Sequence, residues 1–483
     1  MTNRTSSKIL TLASACIAAA LAALAASAAE NPAATTDAQA SQPSQENVLQ
    51  MPLDQCLSMA MRESHRRPAA QFAVAMAEAQ HRQALAGYWP QINANAGYQH
   101  LDQAPDFLFP ASRISVMGQQ LPTPAQDIKL MDPDNYEASL NATWLLYDGG
   151  MRRGLREQSQ GVVDMMKQES RRTDLEITDS VTRMYYGAVL AAQLQQVGND
   201  TLARMEATLN LTETMYKEGS GKVKKTDWLD NKVIVETLRS MVALLEKNSA
   251  MAQAALANTM GMPWDASVKP ADREMPYTPF AGNLNDLVGN AYQFNPDWIK
   301  LEAGIRAAEG AMRTARSDYY PKLALTGEVH QWWNEDNAGM ATDANKQGWS
   351  VGAGVEIPLF SGFLTKNKVA ETRAQVAKIK EEKFLLKEGT GLEIKDAFLS
   401  LNAAEKSYQA TLDAMTAATE NRDLNTRAYQ NELVETEKVI RAQLMEALMQ
   451  AQHYKARYDH IALQSQLNLL VGTEVLKQLQ AVK

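Results

Sequence analysis

Alternating polar and apolar positions mark two segments of the chain as β-strands. In residues 136–146 the even-numbered positions are apolar or small, and most of the odd-numbered positions are polar. Residues 349–359 show the same alternation, with Val351 and Val355 opposite Ser350 and Glu356. A period of two residues predicts a strand. Two less regular segments that each follow a proline, 91–101 and 322–333, are also predicted as strands.

Helical spacing dominates the two long stretches without proline, residues 134–262 and 359–483. In the first, apolar or small residues recur every three or four positions, as at Ile177 and Val181. Because proline breaks helix interiors, both stretches predict very long helices. The apolar stripes are narrow and rich in alanine, which is typical of coiled-coil seams. A helix over 150–217 would be roughly 100 Å long, so we expect a protruding or tubular helical body.

The chain also contains an internal repeat. Tyr-Trp-Pro at 88–90 recurs as Tyr-Tyr-Pro at 319–321, and Leu-Tyr-Asp-Gly-Gly at 146–150 recurs as Leu-Phe-Ser-Gly-Phe at 359–363. We interpret these matches as a duplicated helix–strand–strand–helix–helix unit.

These patterns predict the following organisation. The parts are a signal peptide at 1–29, a flexible leader at 30–50, a first repeat at 51–262, a linker at 263–283, a second repeat at 284–475 and a tail at 476–483. The first repeat has helices at about 53–86, 150–217 and 223–260 and strands at about 91–101 and 136–147. The second has helices at about 284–318, 363–430 and 436–471 and strands at about 322–333 and 349–360.

Residues 1–29 have the composition of a secretory signal peptide. Arg4 and Lys8 precede an Ala- and Leu-rich run that ends in small residues. A second interpretation stays open, because residues 13–16 loosely resemble a lipobox with Cys16 as the lipidated residue. Cys56 is the only other cysteine, so an intramolecular disulfide is excluded after cleavage. We expect Cys56 to be a half-buried helix residue.

Composition excludes several classes of function. Of the 483 residues 22% are charged, 45% are apolar, and the net charge is −8. The chain is therefore neither disordered nor wholly embedded in a membrane, and its acidic balance argues against a nucleic-acid partner. No zinc-protease, phosphate-loop or dinucleotide motif occurs, so we expect no catalytic residues, no cofactor, no metal site and no enzyme activity. His453 and His460 lie seven residues apart, and we expect them on a solvated helix face.

The strands have the features of membrane strands. Each has about the 9–11 residues that cross a bilayer at a tilt. We predict that Leu140, Val351, Val355 and Ile357 face lipid. Four strands cannot close a barrel in a membrane, because open sheet edges are not tolerated there, whereas three chains would supply twelve strands. A soluble sheet with one buried face is the alternative. Aromatic residues gather at the strand ends, including Tyr88, Trp89, Tyr136, Trp144, Tyr147, Tyr319, Tyr320, Trp332, Trp333, Trp349 and Phe360.

Four features of the sequence occur together: the twofold repeat, the Tyr-X-Pro strand starts, the strand-to-helix corners, and the segment Gly-Lys-Val-Lys-Lys-Thr-Asp-Trp-Leu at 221–229. In these features the chain resembles the TolC-like outer-membrane factor family, the outer membrane efflux proteins. The resemblance covers residues 48–475. It implies a mixed α and membrane-β fold, in which a homotrimer forms a twelve-stranded β-barrel in outer-membrane lipid, continuous with a long periplasmic α-helical barrel. Loops 102–134 and 334–348 would then face the outside.

The resemblance implies the outer-membrane channel of a tripartite efflux or type I secretion system. Such a channel works with a periplasmic adaptor, also called a membrane fusion protein, and an inner-membrane transporter. The alternative is a soluble periplasmic coiled-coil scaffold or adaptor protein. The aromatic strand ends favour the channel, because a scaffold gains little from exposed tryptophan.

The resemblance also places a gate at the periplasmic helical hairpins. Its aperture candidates are Asp227 and Asp230 in the first hairpin and Tyr429, Lys438 and Arg441 in the second. Family members bond the residue at the position of Asp227 to a tyrosine, here Tyr429. The alternative is that Asp227 caps the helix that follows it.

The second hairpin departs from the family pattern. Glu432 stands where glycine is common, and Lys438 and Arg441 stand where acidic residues are frequent. An acidic aperture ring from this hairpin is therefore not expected.

Overall fold

Long helices make up most of the described chain. In this computed structural model the described residues are 49–103, 106–129, 132–219, 221–333 and 346–472; the predicted signal peptide and tail, and nearly all of the predicted leader, lie outside them. The two longest helices have 67 residues each. The described helices are α1 Leu53–Glu63, α2 Arg66–Ala86, α3 Met151–Lys217, α4 Lys225–Thr259, α5 Leu284–Phe294, α6 Pro296–Ser317, α7 Leu364–Gln430 and α8 Thr436–Val471.

None of the described helices is both long and apolar enough to span a lipid bilayer.

One antiparallel sheet consists of the four strands β2 (Gln91–His100), β7 (Asp134–Tyr147), β9 (Lys322–Trp333) and β10 (Gln347–Glu356). Their order is β10-β9-β7-β2, so β2 and β10 are the two edges of the sheet. The central pair, β7 and β9, joins strands from the two halves of the chain. Shorter strands pair elsewhere, with β1 parallel to β8, β3 antiparallel to β6, and β4 antiparallel to β5. The strands are β1 Leu49–Met51, β2 Gln91–His100, β3 Asp106–Phe109, β4 Ser112–Val116, β5 Gln119–Thr123, β6 Gln126–Lys129, β7 Asp134–Tyr147, β8 Val268–Pro270, β9 Lys322–Trp333 and β10 Gln347–Glu356.

Two helices that the sequence predicts as continuous are broken. The predicted helix 53–86 is interrupted at Ser64 and His65, just before a proline at position 68. The predicted helix 284–318 is interrupted at Asn295, whose backbone is extended because a residue before proline avoids the helical conformation. The Asn295 Oδ1 then accepts the N–H of Asp297 at 2.7 Å and caps α6.

The corner between β7 and α3 is fixed by a carboxylate. The Asp148 side chain accepts the N–H groups of Gly150 at 3.0 Å and Arg152 at 2.9 Å, and it pairs with the Arg152 guanidinium at 2.7 Å. Gly149 has a φ of 64°, and a Cβ there would lie 2.5 Å from Tyr320 Cβ. Asp and Gly at this corner therefore allow the chain to turn sharply from sheet to helix.

The helices pack in a consistent order at two levels. Near the sheet, neighbours in contact follow the order α2-α3-α6-α7, and towards the hairpins they follow α4-α3-α8-α7. At both levels α7 lies at one edge, and α2 or α4 lies at the other. The edge helices expose apolar side chains, namely Phe72 and Met76 on α2, Val233, Leu244 and Met251 on α4, and Leu385, Leu392 and Leu399 on α7.

Close packing of α3 on α6 depends on small residues. A Cβ added at Gly161 would lie 2.8 Å from the backbone nitrogen and Cβ of Ala307, and one at Gly310 would lie 2.5 Å from the nitrogen of Gln158. The long helix and its shorter neighbour thus approach backbone to backbone.

Cys56 lies in the core where α1, α3 and α4 meet, with Tyr185 and Met260. Its side chain is fully buried rather than half-buried as the sequence predicts. Burial raises the pKa of its thiol to about 11. The folded protein therefore keeps this thiol protonated and unreactive near neutral pH.

We expect Gly161→Ala to destabilise the protein by about 1–3 kcal/mol, because the added methyl group overpacks the contact between α3 and α6. The matched control is Gly389→Ala in α7, where a Cβ meets nothing within 4 Å and alanine favours the helix. The urea midpoint followed by helical circular dichroism compares the two. Equal midpoints for the two variants would contradict this packing.

Candidate functional site: the helical hairpin end

The hairpin end comprises the α3–α4 turn at 218–224 and the α7–α8 turn at 431–435. Gly219 and Gly221 adopt left-handed backbone conformations in the first turn, with φ of 72° and 70°. In the second turn Glu432 adopts the same region with φ of 57°. A non-glycine residue in this conformation is strained, so the structure retains a carboxylate where backbone geometry favours glycine.

That carboxylate contacts the other hairpin. Lys222 Nζ lies 3.4 Å from Glu432 Oε2 and donates to the Glu432 carbonyl oxygen at 3.1 Å. Both side chains are exposed, so the pair contributes at most about 1 kcal/mol. The sequence shows Glu432 at a position where glycine is common in the family, but it does not reveal that Glu432 pairs with Lys222.

A buried set of hydroxyl and amide groups joins the hairpins deeper in the protein. The Tyr429 hydroxyl lies 2.7 Å from Thr212 Oγ1 and 3.1 Å from Thr436 Oγ1. The Asn231 side chain donates to Thr212 Oγ1 at 3.3 Å. All four residues are buried, and together they come from α3, α4, α7 and α8. We call Thr212, Asn231, Tyr429 and Thr436 the buried hydroxyl cluster.

Asp227 is not part of this cluster. Its Oδ2 accepts the backbone N–H of Lys224 at 3.0 Å, so the Asp227 side chain satisfies one free N–H group at the start of α4. Within the described protomer the structure therefore does not bring Asp227 to Tyr429, and Asp227 acts as the helix cap. Asp230, Lys438 and Arg441 are exposed, and among the described residues they form no ion pair.

Further along the helices, a second polar layer joins α3 to α7 and α8. Gln443 donates to Thr208 Oγ1 at 3.0 Å. Buried Glu446 lies 3.1 Å from the Arg204 guanidinium and 3.3 Å from that of Arg422. Breaking such a buried charge cluster by removing one partner is strongly destabilising, so this layer holds the two hairpins of one chain together.

The sheet has one apolar and one polar face. In the observed register Leu140 pairs with Val329, Val329 pairs with Trp349, and Val351 and Val355 follow on the same face of β10. Each of these side chains is exposed in the protomer. The opposite face is lined by polar residues, including Asn93, Asn95, Ser139, Asn141, Glu328 and Ser350. Ile357 is exposed but lies one residue beyond the end of β10.

His453 and His460 are buried, which corrects the prediction of a solvated face. His460 is 0% exposed, and its Nε2 lies 3.6 Å from Glu405 Oε1. Tyr277 lies in the segment between the two halves of the chain. Its ring centroid is 4.8 Å from that of His460, and its ring stacks on Tyr408. Tyr277 therefore shields His460 from water, and helical periodicity cannot reveal this contact between residues distant in sequence. No group of three metal-binding side chains occurs in the part of the chain that the structure describes.

Burial lowers the pKa of both imidazoles. For His453 nearby Arg457 adds to the effect, whereas for His460 the Glu405 carboxylate opposes it. Both histidines are therefore held neutral in the folded protein near neutral pH.

The chain matches the outer membrane efflux protein family over residues 57–262 and 287–473. It belongs to this family.

Three proteins similar to this outer membrane efflux protein share between 18% and 24% of the aligned residues with it. It is 24% identical to Protein CyaE of Bordetella pertussis over 335 residues, which are 69% of each chain. It is 22% identical to the pyoverdine export outer membrane protein OpmQ of Pseudomonas aeruginosa over 229 residues, which are 47% of each chain. The outer membrane protein VceC of Vibrio cholerae has the same fold, with a TM-score of 0.70 and 18% identity over 87% of this chain and 96% of that one.

We expect the stability of this efflux protein to fall as the pH drops below about 6.5. The unfolded histidines take up protons near their ordinary pKa, whereas the folded ones resist until a lower pH. Stability contributed by neutral His453 and His460 is therefore complete above about pH 6.5 and is lost below it. Urea midpoints at pH 7.5 and 5.5 measure the change.

His460→Leu is the test variant, and His65→Gln, at an exposed position, is its control. His460→Leu should flatten the pH dependence, and His65→Gln should leave it as in the parent protein. An equal pH dependence in the parent protein and His460→Leu would contradict this account.

Proposed function

We propose that this protein is the outer-membrane channel of a tripartite efflux or type I secretion system. It would act as a homotrimer, with twelve strands closing a barrel in the outer membrane and its helices forming a periplasmic tunnel. Membership of the outer membrane efflux protein family supports transport rather than enzymatic catalysis. The main support for this assembly comes from the two sides of the protomer. Each side ends in a sheet-edge strand without a neighbouring strand on its outer side and in a helix at the edge of the helical layer.

One edge of the protomer consists of β2 and α2, and the other consists of β10 and α7. Since β2 directly follows α2 and β10 directly precedes α7, strand and helix edges coincide on each side. A head-to-tail contact that joins one side to the other in the next copy would satisfy both at once, and such contacts form a ring when the rotation between copies closes. Three copies give twelve strands, a feasible membrane barrel, and we propose that the duplicated halves supply two strands each.

The exposed side chains support the same arrangement. In the ring the apolar face with Leu140, Val351 and Val355 would contact lipid, with Ile357 near its rim, and the polar face would line the water-filled interior. The exposed leucines of α7 repeat every seven residues, as in a coiled-coil seam, and would pack against α2 and α4 of the neighbouring copy. A soluble sheet would instead need a cover over its apolar face, and no described element provides one.

At the hairpin end we propose a gate that opens towards a periplasmic adaptor and an inner-membrane transporter. The exposed side chains of Asp230, Lys438 and Arg441 form no ion pair with any residue that the structure describes, and we propose that they line the aperture or contact neighbouring copies. The buried hydroxyl cluster, rather than an Asp227–Tyr429 bond, would hold the two hairpins of each chain in the closed arrangement. Each hydrogen bond in the cluster contributes about 0.5–1.5 kcal/mol to the stability of the closed arrangement. In a trimer the contributions of the three clusters add.

The proposed function is tested by reconstitution in planar lipid bilayers. Purified protein should give discrete single-channel conductance steps, because a trimeric barrel continuous with a tunnel encloses one water-filled path. Protein that remains in the soluble periplasmic fraction, and that gives no steps in bilayers, would overturn the proposal in favour of a scaffold or adaptor.

Val351→Arg should lower the yield of trimer in the outer membrane. Val351 lies in the middle of β10, and an arginine on the lipid face near the midplane costs about 2–4 kcal/mol per chain. Ser350→Arg on the other face of β10 is the matched control, since its charge would enter the polar interior. Equal trimer yields on a native gel for the two variants would contradict the assignment of faces.

Tyr429→Phe should raise the open probability of single channels, because it removes the hydroxyl that bonds Thr212 and Thr436. Asp227→Ala should lower stability by about 1 kcal/mol through the lost cap, without a comparable increase in opening. Bilayer recordings of both variants decide between the two residues. Opening in Asp227→Ala but not in Tyr429→Phe would assign the latch to Asp227 instead.

A further inference from the structure

Residues 106–129 form a nested β-hairpin that nothing in the proposed function uses. Its base is the pair β3 and β6, and its tip is the pair β4 and β5. The sequence predicts this region as part of a loop only. Within the described chain the strands of this hairpin pack on one another and make no substantial contact with the helices or with the four-stranded sheet. We call residues 106–129 the outer hairpin.

The outer hairpin exposes apolar side chains in both pairs of strands. In the base Phe107 and Phe109 point to one side, with ring centroids 4.8 Å apart. In the tip Ile114 pairs directly with Leu121. All four are about half exposed or more. A two-stranded hairpin is only marginally stable in water, and these apolar side chains gain from contact with another surface, so a partner surface is expected.

The turn at the tip points to the same conclusion. Met117 and Gly118 both have positive φ, of 50° and 85°, in a position where asparagine and glycine are favoured. Met117 is nevertheless a methionine, and its side chain is fully exposed at 102%. An apolar side chain in a strained conformation contributes nothing to the isolated protomer, which favours a contact outside it.

Charge and position favour a second copy of this chain as the partner. The outer hairpin contains Asp106 and Asp127 against Arg113 and Lys129, so it carries no net charge and lacks the basic cluster that an anionic lipid headgroup requires. It is inserted between β2 and β7, and β2 is the edge that pairs with the next copy in the proposed ring. The outer hairpin therefore begins beside the junction between copies.

The length of the outer hairpin suffices for three copies to meet. Twelve strands about 4.8 Å apart and tilted by about 40° give a barrel with a radius of roughly 12 Å. The extended chain from Asp106 to Met117 covers roughly 35 Å. Each outer hairpin can therefore reach from the barrel wall to the symmetry axis.

We infer that the outer hairpins of three copies pack against one another through Ile114, Leu121 and Met117 and narrow the outer mouth of the channel. This inference rests on the proposed trimer. It adds a constriction at the end of the channel opposite to the helical hairpins, and it assigns the apolar tip to contacts between copies rather than to lipid or a foreign protein.

Cysteine cross-linking tests the contact directly. Buried Cys56 has a thiol pKa of about 11, so an added surface cysteine is the reactive thiol in the folded protein. Oxidation of outer membranes should link Ile114→Cys and Leu121→Cys chains into covalent dimers. Ser115→Cys, one residue further along β4 and on the opposite face, is the matched control and should cross-link much less.

Native mass of each variant in detergent separates the two proposals. Trimers in which Ile114→Cys links no better than Ser115→Cys would overturn the contact and leave the channel intact. Monomers would overturn both. An Ile114→Cys thiol that is shielded from a membrane-impermeant maleimide but does not cross-link would mean that another molecule covers this face, which also overturns the inference.

A second readout tests the constriction. Ile114→Asp places three like charges together at the tip and should raise single-channel conductance, whereas Ser115→Asp should leave it near that of the parent protein. Equal conductance of the two variants would overturn the narrowing of the mouth.

Discussion

The rest of the structure depends on the unpaired edges of a four-stranded sheet. Backbone N–H and C=O groups at a sheet edge need partners, and in lipid no water is available to supply them. Here β2 and β10 are the two edges, and the apolar face between them is uncovered. One protomer cannot satisfy both requirements. In the proposed trimer, closure with neighbouring copies would satisfy the edges and turn the apolar face towards lipid, so assembly and membrane insertion would be one event.

Long continuous helices connect the sheet to the helical hairpins at the other end of the protomer. The Asp148 carboxylate and the glycines beside it turn the chain sharply at the end of β7, and α3 then continues for 67 residues without a break. Shorter helices pack beside α3, and one of them, α6, approaches it closely at Gly161 and Gly310. At the far end the buried hydroxyl cluster and the Glu446 ion pairs join the two hairpins of the chain. A change in packing at the hairpins is therefore restrained by contacts deep between the helices rather than by the exposed tip.

Much of the fold follows from the sequence, because strands and helices of this kind leave strong local patterns. The alternation around Leu140 and Val355 indicates the strands, and the observed register places both residues on one face of the sheet. The breaks before Pro68 and Pro296 are also local signals, although helical periodicity continues across them. Other features depend on residues distant in sequence: the Tyr277 ring covers His460 from another segment, and Tyr429 bonds Thr212 rather than Asp227. The pairing of Glu432 with Lys222 and the strand pairs of the outer hairpin likewise could not be predicted from the sequence, because each depends on contacts in the folded chain.

Disulfide scanning between the two edge strands tests the central claim most directly. Single cysteines along β2 would be combined with single cysteines along β10, and outer membranes would be oxidised and analysed on denaturing gels. The account predicts that at least one register yields bonds between chains, with a ladder that ends at the covalent trimer. Bonds confined to single chains, no bonds in any register, or a ladder that continues beyond three chains would contradict it.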